Sequence, residues 1–292
     1  MRLGVLVLQT DPWRESVPLW QRLDALGVDT AYVADHLTHP TMAGQWLADG
    51  WTTLAAAAVV TDRIRLGTLV ASAAVRTPTT LARTAATLQD LSGGRLVLGV
   101  GAGSPIDAAA DRGVTPATRE LTDRFVEVVG GVRALWSGQP DWVGAQVAAS
   151  GVETAPFAAG TTAPPLVVAA HGPRGFAVVA EHADGWTTYG GPANVSLGGD
   201  AFWDVLAEQS RGVDAACERV GRDPSGLTRS VLLGYGPDRP VSSVTAFADC
   251  VARAEARRFD EVVFYWPYGE PGSRFWADPE VVAAAVTAVR AG

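Results

Sequence analysis

A (β/α)8 TIM barrel is the fold class that the 292-residue sequence predicts. Short apolar runs alternate with longer helical patterns from end to end, eight of each. The strand runs are almost continuously apolar, as expected where helices cover one face and a packed interior the other. Eight strand–helix units in a chain of this length fit a closed barrel, one domain spanning 1–292, better than an open doubly wound sheet.

The elements follow in order. "LGVLVL" at 3–8 is the first strand; Asp11 comes so soon after it that the segment does not read as a signal peptide. A helical pattern over 17–26 ends at Gly27. Strand two is "TAYVA" at 30–34, with a helix over 51–60. Strand three is "IRLGTLV" at 64–70, with a helix over 79–91 stopped by "SGG" at 92–94. Strand four is "RLVLGV" at 95–100, after which Pro105 delays the next expected helix until 118–136. Strands five and six are "PLVVAA" at 165–170 and "GWTTY" at 185–189, with helices over 175–182 and 202–220. Strands seven and eight are "RSVLLG" at 229–234 and "EVVFYW" at 261–266, with helices over 244–258 and 279–289. The irregular excursion at 137–165 is rich in Gly, Ala, Thr and Pro and shows no helical period. It reads as a surface loop with a small hairpin or as a flap over the barrel mouth.

Composition narrows the function classes. A net charge of −8 with no Lys/Arg-rich run argues against nucleic acid. The most apolar run, "LAAAAVV" at 54–60, is too short to span a membrane. Two cysteines, Cys217 and Cys250, fall in helical patterns without metal spacing. They fit buried thiols in a cytoplasmic protein that acts on a small-molecule substrate.

In such a barrel, active-site groups come from the C-terminal strand ends and the loops after them. That rule selects Gln9, Thr10 and Asp11; Asp35 and His36; Ser72; Gly101, Ala102, Gly103 and Ser104; His171 to Arg174; Thr188 and Tyr189; Tyr235; and Trp266 with Tyr268. Few are charged, and many are glycines, hydroxyls or aromatics, which suits a large, flat, partly apolar ligand. Glycines 99, 101 and 103 do not form a dinucleotide fingerprint, because Ser104 stands where the third glycine belongs. Their reading is close approach of a planar ligand to the backbone. "VVAAHGPRG" at 167–175 is a candidate anion site, with backbone N–H groups at a helix start and Arg174 nearby, or else an ordinary βα turn. "YVADHL" puts a carboxylate beside an imidazole, and His36 suits proton transfer near neutral pH or a structural role. His39 adds an H-x-x-H spacing, but no third or fourth metal ligand suggests itself.

Several of these stretches together resemble one family. "DRIRLGTLVASAAVRTPTTLARTAATLQDLSGGRLVLGVGAG" at 62–103, "LGVDTAYVADHL" at 26–37 and "PPLVVAAHGPRGFAVVAEHADGW" at 164–186 are similar to bacterial luciferase-like monooxygenases and coenzyme F420-dependent oxidoreductases. The resemblance implies a deazaflavin or flavin at the barrel mouth and a non-prolyl cis peptide in strand three, here Leu69–Val70. It implies that Asp35, Leu69, Val70, Ser72, Gly101, Ala102, Gly103 and Ser104 border the cofactor. The cofactor phosphate would meet Ala170, His171 and Gly172, with Thr188 nearby. His36 matches the proton donor or acceptor of the F420-using members. These compact members imply F420 as cofactor; the alternative is FMN, with reduced flavin from a separate reductase. A homodimer and a non-catalytic flavin-binding relative are also within the family's range. Sugar-phosphate-oxidising members carry a glutamate where this chain has Ser104 and a tryptophan where it has Pro40, so a sugar phosphate is not the implied substrate.

Overall fold

The computed structural model describes residues 1–269, 271–273 and 275–291. Its elements in chain order are β1 (Arg2–Val7), α1 (Trp13–Leu26), β2 (Thr30–Val33), α2 (Gly50–Ala58), β3 (Arg65–Ser72), α3 (Pro78–Leu91), β4 (Leu96–Gly101), α4 (Pro105–Arg112) and α5 (Thr118–Trp136). There follow β5 (Trp142–Val143), β6 (Ala148–Ala149), β7 (Leu166–Ala169), α6 (Pro173–His182), β8 (Gly185–Thr188), α7 (Gly199–Arg219), β9 (Thr228–Leu232), α8 (Val244–Ala256), β10 (Glu261–Tyr265) and α9 (Pro279–Ala291). Eight strands close in the order β1-β10-β9-β8-β7-β4-β3-β2, all pairings parallel. This is the expected (β/α)8 barrel.

Strand alternation divides the core into two layers. Leu6, Tyr32, Val97, Leu232, Val263 and Tyr265 fill the barrel interior. Their neighbours Val5, Val7, Val33, Leu98 and Phe264 face the helix layer, where they meet Trp20, Leu54, Leu81, Phe125 and Phe247. Each such aliphatic side chain contributes about 1.5–3 kcal/mol through burial, which is why helix and strand periods lock into one register. At the lower end of the barrel the Tyr32 hydroxyl donates to Glu261 Oε2 at 2.9 Å. Gly67 leaves room for that ring, since a Cβ there would lie 2.8 Å from it.

Two features depart from a regular barrel. The Leu69–Val70 peptide is cis, and the β3–β4 register shifts between Thr68 and Ala71. The second is α4, which the sequence reading did not expect. Pro105 does not delay a helix here; it opens one as its first residue, where the missing N–H costs nothing. Ser104 caps that helix, its hydroxyl accepting from Ile106 N at 3.1 Å.

The excursion at 137–165 carries the small β5–β6 hairpin and lies against the outer helices, so the flap reading does not hold. Glu127 of α5 accepts from the backbone N–H groups of Ala145, Gln146 and Val147 at 2.7–3.0 Å. Arg83 and Gln89 of α3 donate to the carbonyls of Ala155 and Thr162, each at 3.2 Å. Trp142 packs on Gly130 and Gly131 of α5, where a Cβ would approach its ring to 2.9 and 2.8 Å. Among the described residues no helix is long and apolar enough to cross a membrane.

Candidate active site

Asp35 and His36 are adjacent at the end of β2 and their side chains part. The Asp35 carboxylate is buried and accepts from Ser72 N at 3.1 Å, from Arg76 Nε at 3.1 Å and from Arg76 Nη2 at 2.7 Å. That contact holds the Arg76 guanidinium above its ordinary range. Asp35 therefore braces β3 against β2.

His36 turns the other way. Its Nδ1 lies 2.7 Å from Asp107 Oδ2, while Asp107 Oδ1 accepts from the backbone N–H groups of Leu37 and Thr38 at 2.9 and 3.0 Å. Asp107 is fully buried and His36 is 38% exposed at its side chain. Burial alone would push the Asp107 carboxyl up, but the His36 hydrogen bond and charge, with the two backbone donors, outweigh it and hold the group below the carboxylate range. An ionised carboxylate only accepts, so the shared proton resides on His36 Nδ1, and Nε2 is the ring nitrogen left over for another partner. Asp107 is the main site residue that sequence reading missed. The signal was present: Ser104, Pro105 and an acid at the third helical position spell a helix start.

His39 does not join a metal set. Its ring meets His36 edge-on at 5.4 Å, and its Nδ1 contacts the hydroxyl of Thr41 at 2.7 Å. Among the described residues no group of three His, Cys, Asp or Glu side chains could hold a metal ion.

A second group surrounds the β3 irregularity. A Cβ at Gly99 would lie 2.2 Å from Thr68 O, one at Gly101 2.5 Å from Val70 Cγ2, and one at Gly103 2.2 Å from Ser72 Oγ. Gly99 and Gly101 of β4, and Gly103 just after it, are thus demanded by the neighbouring bulged strand. The buried Ser72 hydroxyl has no protein partner among the described residues. Ala102 packs on the main core, and Ser104 is committed to its cap.

The third group lies beyond β7 and β8. Gly172 precedes α6, which has no side-chain cap, so its first backbone donors are left for another acceptor. His171 Nδ1 meets Thr188 Oγ1 at 3.1 Å, and that hydroxyl donates to Gln209 Oε1 at 2.7 Å. Burial pushes the His171 imidazole down to about 4, so it is neutral at physiological pH. Gln209, from α7, also donates to Gly190 O at 2.9 Å; no local sequence signal marks it. Arg174 is turned away and ion-paired with Asp123, so it does not face the turn as a charge partner. Ala170 O accepts from Trp186 Nε1 at 2.9 Å. Tyr189 stacks edge-on against His171 at 4.6 Å and beside Tyr235 at 4.9 Å.

The three groups are contiguous. Ser72 joins Asp35 to the bulge, and Gly101 lies between Val70 and Ala169, so the bulge borders the α6 turn. An orphaned hydroxyl, an uncapped helix start and an oriented imidazole around one barrel mouth fit a planar, phosphate-bearing cofactor.

Comparison with known proteins agrees with this geometry. Residues 1–232 match the family described as luciferase-like monooxygenase. An uncharacterized protein of Mycobacterium tuberculosis is 30% identical over 279 residues, covering 86% of this chain and 98% of that protein. A phthiodiolone/phenolphthiodiolone dimycocerosates ketoreductase of Mycobacterium kansasii is 32% identical over 195 residues, 65% of this chain and 49% of that protein. Among solved structures, an F420-dependent secondary alcohol dehydrogenase in complex with an F420–acetone adduct superposes with a TM-score of 0.76 at 17% identity, covering 97% of this chain and 98% of that one. The oxygenating constituent of 3,6-diketocamphane monooxygenase from Pseudomonas putida, in complex with FMN, superposes with a TM-score of 0.71 at 15% identity, covering 98% and 96%.

Proposed function

The chain belongs to the luciferase-like monooxygenase family, and from that premise we propose that it is an F420-dependent oxidoreductase moving a hydride between the deazaflavin and a small organic alcohol or ketone, with His36 as the proton donor or acceptor. The observation that carries this reading is the His36–Asp107 pair: a buried carboxylate fixes Nδ1 and leaves Nε2 to meet a substrate oxygen. Bound F420 supplies the carbon that accepts or returns the hydride. Leu69, Val70, Ser72 and the Gly101–Gly103 turn would back its ring, and Ala170, His171, Gly172 and Thr188 would hold its phosphate. In the oxidative direction His36 Nε2 takes the hydroxyl proton as the carbinol carbon loses hydride; in the reductive direction the imidazolium returns that proton to the new alkoxide. Asp107 acts through His36, fixing its tautomer and balancing the charge that forms on the ring. The secondary alcohol dehydrogenase and ketoreductase among the similar proteins support this choice of reaction.

The second reading uses FMN: reduced flavin from a separate reductase and molecular oxygen, supported by the diketocamphane monooxygenase neighbour. Paired fluorescence titrations with F420 and FMN separate the two. Quenching of F420 alone supports the first reading, FMN alone the second, and binding of neither overturns both. His36→Ala should then lower turnover by about 10²–10⁴-fold with cofactor affinity kept; equal loss of both would mean that the ring positions the cofactor.

A further inference from the structure

A cavity of about 380 Å³ lies at the mouth, between the segment after β9 and the segment after β10. Its floor is Tyr265, an inward-facing residue of the last barrel strand, whose ring packs on Phe275 at 4.3 Å. Trp276, Pro240, Val241 and Val281 complete its apolar wall. The Tyr268 hydroxyl, on the segment after β10, donates to Gln45 Oε1 on the segment that follows His36. The segment after β10, which lines the cavity further along, thus also reaches Gln45, nine residues after His36.

Charge selects what the cavity accepts. Asp238 accepts from Gly199 N at 2.9 Å, and Asp278 accepts from Glu280 N at 2.9 Å at the start of α9. Arg239 is the one cation among the described lining residues, and it points at the carbonyls of Gly236 and Pro237, 3.5 and 3.4 Å away. Two carboxylates border the space, and Arg239 is turned to main-chain carbonyls, so the described lining favours a neutral ligand over a phosphorylated one. Three aromatic rings favour stacking against another ring, and the volume falls within the range of small-molecule sites.

We propose that this cavity binds the apolar ring body of a neutral substrate, an aromatic or alicyclic ketone or secondary alcohol. The ketone or alcohol end rests on the function proposed above; the apolar body rests on the cavity alone. The test is calorimetric titration without cofactor, using 2-acetylnaphthalene as neutral probe and 2-naphthyl phosphate as anionic probe. Two variants fill the cavity from opposite walls: Val241→Trp from the loop and Val281→Phe from α9. The wild type should bind 2-acetylnaphthalene at least tenfold more tightly than 2-naphthyl phosphate. Each variant should weaken the neutral probe at least tenfold while retaining the wild-type circular dichroism. Absent binding in the wild type, equal affinity for the phosphate, or unchanged affinity in a folded variant overturns the proposal. Failure of the cofactor reading shows separately, as absent F420 quenching in the wild type.

Discussion

At the residue scale the proposed chemistry turns on Asp107. It contacts His36 across 71 positions of sequence, so no local pattern announces the pairing, whereas His36 itself was legible as the one strand-end histidine beside a carboxylate. Asp107→Asn keeps the shape but removes the charge that holds Nδ1–H, so turnover should fall by about 10²-fold with little change in cofactor affinity. The same substitution has a thermal signature. Because the folded-state pKa of Asp107 lies below its unfolded value, the ionised group adds stability above about pH 4 and loses it as the pH falls through the folded value. Melting curves should therefore show a wild-type advantage over Asp107→Asn at pH 7 that shrinks on acidification below pH 4. A constant difference at every pH would show that the carboxylate stabilises by packing alone.

At the element scale the informative piece is α4, which brings Asp107 to the mouth. Ser104 stands where the family resemblance implies a glutamate in sugar-phosphate-oxidising members, and its hydroxyl is tied to Ile106 N. Ser104→Ala should cost about 0.5–2 kcal/mol of stability, as for other helix caps. It should leave the pH profile of turnover unchanged, and a shifted profile would restore a proton-transfer role to the hydroxyl. The eight barrel strands and the helix over 118–136 were legible because period and punctuation agree there. The short α4 was not, because eight residues give little period and Pro105 reads as a stop until the preceding serine is seen as a cap. The β4 glycines teach a related lesson. Their spacing is visible in the sequence, but their cause, the bulged β3 with its Thr68 carbonyl and Val70 side chain, exists only in the folded neighbour.

At the scale of the whole molecule the closed barrel buries one ionisable pair far from the chemistry, Glu261 with Tyr32. Burial pushes the Glu261 carboxyl above its usual range. The unfolded chain gives up that proton near pH 4.3 while the folded one retains it, so this group lowers stability as the pH rises from there through its folded value. Glu261→Gln should thus raise the melting temperature relative to wild type near neutrality and lose that gain toward pH 4; a loss at every pH would show that the Tyr32 contact needs the carboxylate. The barrel class was readable from alternation alone, since every strand run carries the same two-layer burial. The cavity between the last two loops was not, because its walls come from segments without period. The position of the 137–165 excursion has an engineering consequence. Its turn at Ala158 to Thr161 is closed by a single backbone contact, Thr161 N to Ala158 O at 3.0 Å, and residues 158–160 are exposed. A five-residue Gly/Ser insert between Ala159 and Gly160 should shift stability by less than about 1 kcal/mol and leave cofactor affinity untouched, making this turn the natural point for a tether that immobilises the protein with its mouth facing solution.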